Sequence, residues 1–105
     1  MSFEELRASV TKDAAPPASL SGALRGLWYD ARGDWHRAHE CAQEDAGKDG
    51  SWVHAYLHRK EGDQSNAGYW YARARRPRPE ANVTIEAEWA EIARALLADA
   101  TTGRQ

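Results

Sequence analysis

Two Gly-Asp dipeptides, Gly33-Asp34 and Gly62-Asp63, stand 29 residues apart and punctuate the chain in the same way. Glycine ends a helix by taking the left-handed conformation that other residues resist. Aspartate then caps the next helix by accepting from its first free amides. Each dipeptide follows an aromatic-bearing stretch, and each is followed four residues after the Asp by an alanine, Ala38 or Ala67. The small residue has a geometric reason. Two antiparallel helices joined by so tight a turn come closest one turn beyond the bend, where a larger side chain would wedge them apart. A chain that carries this device twice is constrained to repeated helical hairpins, the unit of an α-solenoid.

The remaining sequence predicts the same class. No sustained alternation of apolar and polar residues marks a strand, whereas helical spacing recurs throughout. Ser2 opens a capping box with Glu5, and Phe3, Leu6 and Val10 follow at spacings of three and four. That helix must stop before Pro16-Pro17. A second helix is expected over 19–32, with Leu20, Leu24, Leu27 and Trp28 on one side, and a third over 35–46. GKDG (47–50) reads as a tight connection, followed by helices over 51–61 and 64–75. After the break at PRP (77–79), a last helix over 85–99 aligns Ile85, Trp89, Ile92 and Leu96, capped by Thr84 or Asn82; the tail TTGRQ is expected to fray.

At 105 residues and 42% apolar content, the chain is one domain with a real core. A formal net charge of −2 gives no electrostatic footprint for nucleic acid, and RARRPRP (73–79) is a short basic helix end. No apolar run approaches the roughly 18 residues of a membrane span. The acidic opening MSFEELRASV is unlike a signal peptide, and the single Cys41 fits a reducing cytoplasm.

LRGLWYDARGDWHRAHECA (24–42) resembles a tetratricopeptide (TPR) repeat in Gly26, Tyr29, the Gly33-Asp34 turn, Trp35 and Ala38. SWVHAYLHRKEGDQSNAGYWYARA (51–74) is similar at Ala55, Gly62-Asp63, Ala67, Tyr71 and Ala74. The Sel1-like unit is a close relative of this pattern, and these residues leave the subtype open. The offset of 29 is shorter than the usual repeat of about 34, so the link between hairpins must be cut short. The resemblance implies an all-α domain of about six helices. Residues 1–17 form a capping helix and linker, 18–47 and 48–76 the two hairpins, and 83–100 a C-terminal capping helix.

In that family the first helix of each hairpin lines a concave groove for partner peptides. By position, the groove here would present Leu27 and Asp30 from one hairpin and Trp52, Tyr56, Arg59 and Lys60 from the other. Interleaved aromatic and basic residues suit an acidic or C-terminal carboxylate. On the opposite side of the fourth helix, His54, His58 and Glu61 share a face at spacings of four and three. His-x3-His is a sound zinc or nickel pair, although the glutamate of HExxH is lacking. The resemblance places both histidines where the family packs apolar residues, so neutral packed imidazoles are the plainer expectation.

His36 and His39 stand near Cys41, but Cys41 lies about 200° round the helix from His39 and does not converge with it. Tyr71 should be core, with Tyr69 or Trp70 left to a flanking helix or to a self-association patch. No nucleotide loop, nucleophile triad or paired-carboxylate site is present in the sequence. The expected function is therefore non-enzymatic. It is an interaction module of the bacterial cytoplasm type, acting on another protein, a peptide or a second copy of itself without a cofactor. A metal- or small-ligand-binding protein built on His54, His58 and Glu61 is the alternative.

Overall fold

The computed structural model describes residues 1–102, with side chains through Asp99. Six α-helices and no strand make up the described residues: α1 (Phe3–Lys12), α2 (Gly22–Ala31), α3 (Trp35–Glu44), α4 (Lys48–Lys60), α5 (Gln64–Ala74) and α6 (Ile85–Thr102). Thr101 and Thr102 of the expected loose tail continue α6, while residues 103–105 lie outside the described residues.

The two Gly-Asp turns are built alike. After α2, the Gly33 amide donates to the Asp30 carbonyl and the Asp34 amide to the Tyr29 carbonyl, both at 2.9 Å. After α4, Gly62 donates to Arg59 and Asp63 to His58 at 3.0 and 2.9 Å. This double closure is the Schellman arrangement, and it needs a left-handed residue at its centre. Gly33 and Gly62 supply it with φ of 85° and 90°. Asp34 and Asp63 then cap α3 and α5 through the amides of Arg37 and Asn66. Ala38 and Ala67 are fully buried just beyond the bends, where the paired helices close on each other.

The link between hairpins is shorter than a loop over 47–50. Helix α4 already begins at Lys48, so only residues 45–47 separate it from α3. Asp45 holds the corner. Its Oδ2 accepts from the Ala23 amide at 3.1 Å, satisfying the start of α2, and its Oδ1 accepts from the Gly47 amide at 3.3 Å. Gly50 lets the first turn of α4 lie directly on the end of α3.

Helices α1 and α6 cover the side formed by α2 and α4. Leu6, Leu27, Trp28, Tyr56, Leu57 and Ile92 are among the largest fully buried side chains of the single core. Helix α6 packs on both α2 and α4, and the Trp89 indole N–H donates to the Leu27 carbonyl at 2.9 Å. A helix expected to cap one end of a stack thus lies across the first helices of both hairpins. Its apolar stripe, Ile85-Trp89-Ile92-Leu96, is long enough to find burial against both.

Candidate functional site

Helix α4 carries two chemistries on opposite faces. Residues 56 and 60 point one way, towards α1, α2 and α6, and residues 54 and 58 the other, towards α3 and α5. The offset of two residues, about 200° on a helix, makes this separation unavoidable.

On the first face, α1, α2, α4 and α6 enclose a cleft of about 390 Å³. Asp30, Tyr56 and Lys60, three of the residues expected to line a groove, meet there with Arg7. The Tyr56 hydroxyl donates to Asp30 Oδ2 at 2.6 Å and Lys60 Nζ donates to Asp30 Oδ1 at 2.9 Å. Burial first, then the neighbouring Asp30 charge, push the Tyr56 phenol far above its ordinary value, so it stays a donor. Lys60 keeps donors to spare, because Asp30 engages one of three N–H groups and its side chain is 39% exposed. Arg7 is exposed on α1, its guanidinium 5.9 Å from the Phe3 ring, and no carboxylate pairs with it among the described residues. Val10, Ala31, Ile85 and Trp89 supply apolar walls, and Glu86 adds one negative group.

The other three groove candidates are used inside the domain. Leu27 is fully buried beneath Trp89. Trp52 is buried with the Arg76 guanidinium 3.9 Å from its ring centroid. Arg59 turns to Glu88 Oε1 at 2.8 Å and also donates to the Val83 carbonyl. The physical cause is α6, whose placement across both first helices fills the span that an open groove would need. Arg7, Ile85 and Trp89 were not foreseen as lining, because only the flanking helices' position assigns them to the cleft.

On the second face, His54 and His58 are joined by His39 from α3. One ring nitrogen of each lies within 4.8 Å of the others. Trp35 stacks on His39 with centroids 4.9 Å apart and planes at 15°, and Trp70 stacks on His54 at 3.9 Å and 14°. His58 Nδ1 donates to Glu61 Oε1 at 2.7 Å, so Glu61 orients His58 and does not stand beside His54 as a third ligand. Cys41 is buried apart from this group and behaves as a small packing residue, and His36 contributes only an edge contact to Trp35. Of the Tyr69-Trp70-Tyr71 triplet, Tyr71 is core, Trp70 covers His54, and Tyr69 is 54% exposed.

Burial above all, then the neighbouring His39 and His58, push His54 down to about 4 from 6.5. Burial lowers His39 as well. At His54 the unfolded chain therefore takes up a proton near pH 6.5 and the folded chain only near pH 4. Stability is complete above pH 6.5 and falls as the pH drops towards 4. Urea midpoints at pH 7 and pH 4.5 should show wild type losing on the order of 3 kcal/mol more than His54→Phe. Equal losses in the two proteins would contradict a neutral, buried His54.

No protein-family model, curated protein or solved structure matches the chain. Among the described residues no helix is long and apolar enough to cross a membrane.

Proposed function

We propose that the chain is a binding module of TPR-like build whose working surface is the cleft between α1, α2, α4 and α6. Its partner is another protein, held by a short apolar segment that ends in, or carries, a carboxylate. The observation that carries this reading is the meeting of Lys60, with donors to spare, and the unpaired Arg7 at the rim of an apolar-walled cleft. A guanidinium and an ammonium group converging on one opening favour a carboxylate, which accepts from both. Val10, Ile85 and Trp89 suit the apolar residues that precede it. The cleft's volume lies within the roughly 300–1,000 Å³ of ligand clefts, enough for a peptide end and too little for a whole helix.

Trp89 in the wall provides the readout. An acetylated, leucine-rich tetrapeptide should change tryptophan fluorescence saturably as the free acid, and its C-terminal amide should bind on the order of tenfold more weakly, the loss of one charged pair. Arg7→Gln, at an exposed position, should remove most of the difference between acid and amide. Equal binding of the two peptides, or no binding of either, overturns the reading.

A further inference from the structure

We propose that His39, His54 and His58 bind a divalent transition-metal ion, zinc above all, between the two hairpins, with Glu61 as the carboxylate that positions His58. The ligands come from two packed helices. His54 and His58 sit one turn apart on α4, and His39 reaches them across the α3–α4 contact. Three imidazoles on a tetrahedral ion, each at about 2.0–2.1 Å, bring their nitrogens to about 3.3 Å from one another. The present nitrogens, within 4.8 Å of one another, must draw together for that.

Most buried aromatic side chains spend their polar atoms inside the domain, and the imidazoles of His39 and His54 do not. Trp28, Trp35 and Trp89 each spend the indole N–H on an acceptor, and the Tyr56 and Tyr71 hydroxyls each meet a carboxylate. Among the described residues the side chains of His39 and His54, like that of the buried Trp52, have no hydrogen-bond partner. The unpartnered nitrogens of His39 and His54 are not sealed from solvent. Free imidazole nitrogens, gathered and still reachable, are what a borderline metal needs.

His58 is prepared differently. A carboxylate only accepts, so the 2.7 Å contact fixes the proton on Nδ1 and leaves the lone pair on Nε2. This carboxylate–histidine pairing orients metal-bound imidazoles and raises their basicity. The stacked rings of Trp35 and Trp70 restrict the planes in which His39 and His54 turn, and they narrow the approach of water. Three protein ligands leave a fourth position for water or an exogenous donor. A second convergence, of His58, Glu61 and Asp63, is already spent. Asp63 caps α5 and binds the Asn66 amide side chain, and Glu61 holds His58.

The test uses the full chain at pH 7.4 with zinc chloride, magnesium chloride as control and cobalt chloride as a spectroscopic probe. At a hundredfold excess over Kd, zinc should raise Tm by on the order of 10 °C, and magnesium should leave it unchanged. Cobalt should give the intense visible absorption of a tetrahedral site. In wild-type protein, zinc should shift the imidazole 15N resonances of His39, His54 and His58 and leave His36 in place, a readout that does not depend on any variant folding. Glu61→Gln should weaken binding about tenfold or more without unfolding the domain, because Glu61 is exposed. No thermal response to zinc, an octahedral cobalt spectrum, or shifts that miss any of the three histidines would each overturn the site.

Discussion

Glu88→Ala lowers stability by about 3–5 kcal/mol, enough to bring Tm down by on the order of 20 °C. Glu88 is 2% exposed on the first turns of α6, and it receives two donors from different helices. Arg59 of α4 reaches its Oε1 at 2.8 Å, and the Tyr71 hydroxyl of α5 reaches its Oε2 at 2.5 Å. Truncation leaves a guanidinium that is only 15% exposed without its counter-charge, and a phenol without its acceptor. The loss is thus the cost of an uncompensated buried cation more than the worth of the pair itself. Two further variants separate those contributions. Tyr71→Phe, which removes one neutral donor, should cost about 1 kcal/mol. The double variant Arg59→Met/Glu88→Leu should be more stable than Glu88→Ala, because nothing charged remains buried. Thermal melts of the four proteins decide it, and a double variant less stable than Glu88→Ala would contradict this description of the network.

Gly50→Ala has an effect of the same size from a different cause. A Cβ at residue 50 would fall on the Asp45 carbonyl oxygen and come within 2.8 Å of the Ala42 carbonyl oxygen. Both obstacles are backbone, so no side chain can swing aside. The first turn of α4 must move off α3, which also disturbs the Asp45 bonds that start α2. We expect a loss of at least about 3 kcal/mol, at the upper end for overpacked sites. The comparison is Gly47→Ala, where the nearest atom to an added Cβ is Asp45 Oδ1 at 3.7 Å. That variant should melt within a few degrees of wild type. Similar Tm values for Gly50→Ala and wild type would mean that the hairpins do not meet at this corner.

Most of the helices were legible because their signals are local. The Ser2 capping box, the paired Gly-Asp turns and the 3–4 spacing of Ile85, Trp89, Ile92 and Leu96 each depend on neighbours in sequence. GKDG was the exception. Two glycines and a charged pair look like a loop, yet Gly50 is there for close approach of helices and not for a turn. The histidine cluster was half legible. His54 and His58 share a face by helical arithmetic, but His39 joins only across the α3–α4 contact. Along its own helix His39 meets Trp35 but not Cys41, which points elsewhere. Of the expected groove residues, Asp30, Tyr56 and Lys60 line the cleft and Trp52, Arg59 and Leu27 do not. What decides between the two sets is α6, and its amphipathic pattern says that it buries a stripe without saying against which helices.

The two faces of α4 explain its unusual content. Tyr56 and Lys60 belong to a polar knot with Asp30 at the floor of the cleft, while His54 and His58 belong to an imidazole cluster behind it. Metal at the second face would tie α3 to α4 without touching the first, so the two sites answer to separate experiments.

The central claim, that the cleft of Arg7, Tyr56, Lys60 and Trp89 is where a partner is held, is tested most directly by mapping 1H–15N resonances during titration with the free-acid tetrapeptide. Shifts that saturate at Arg7, Lys60 and the Trp89 indole, with Tyr69 and Arg73 unmoved, are the predicted result. Shifts centred on Tyr69 and Arg73, or no saturable shift at any residue, would contradict it.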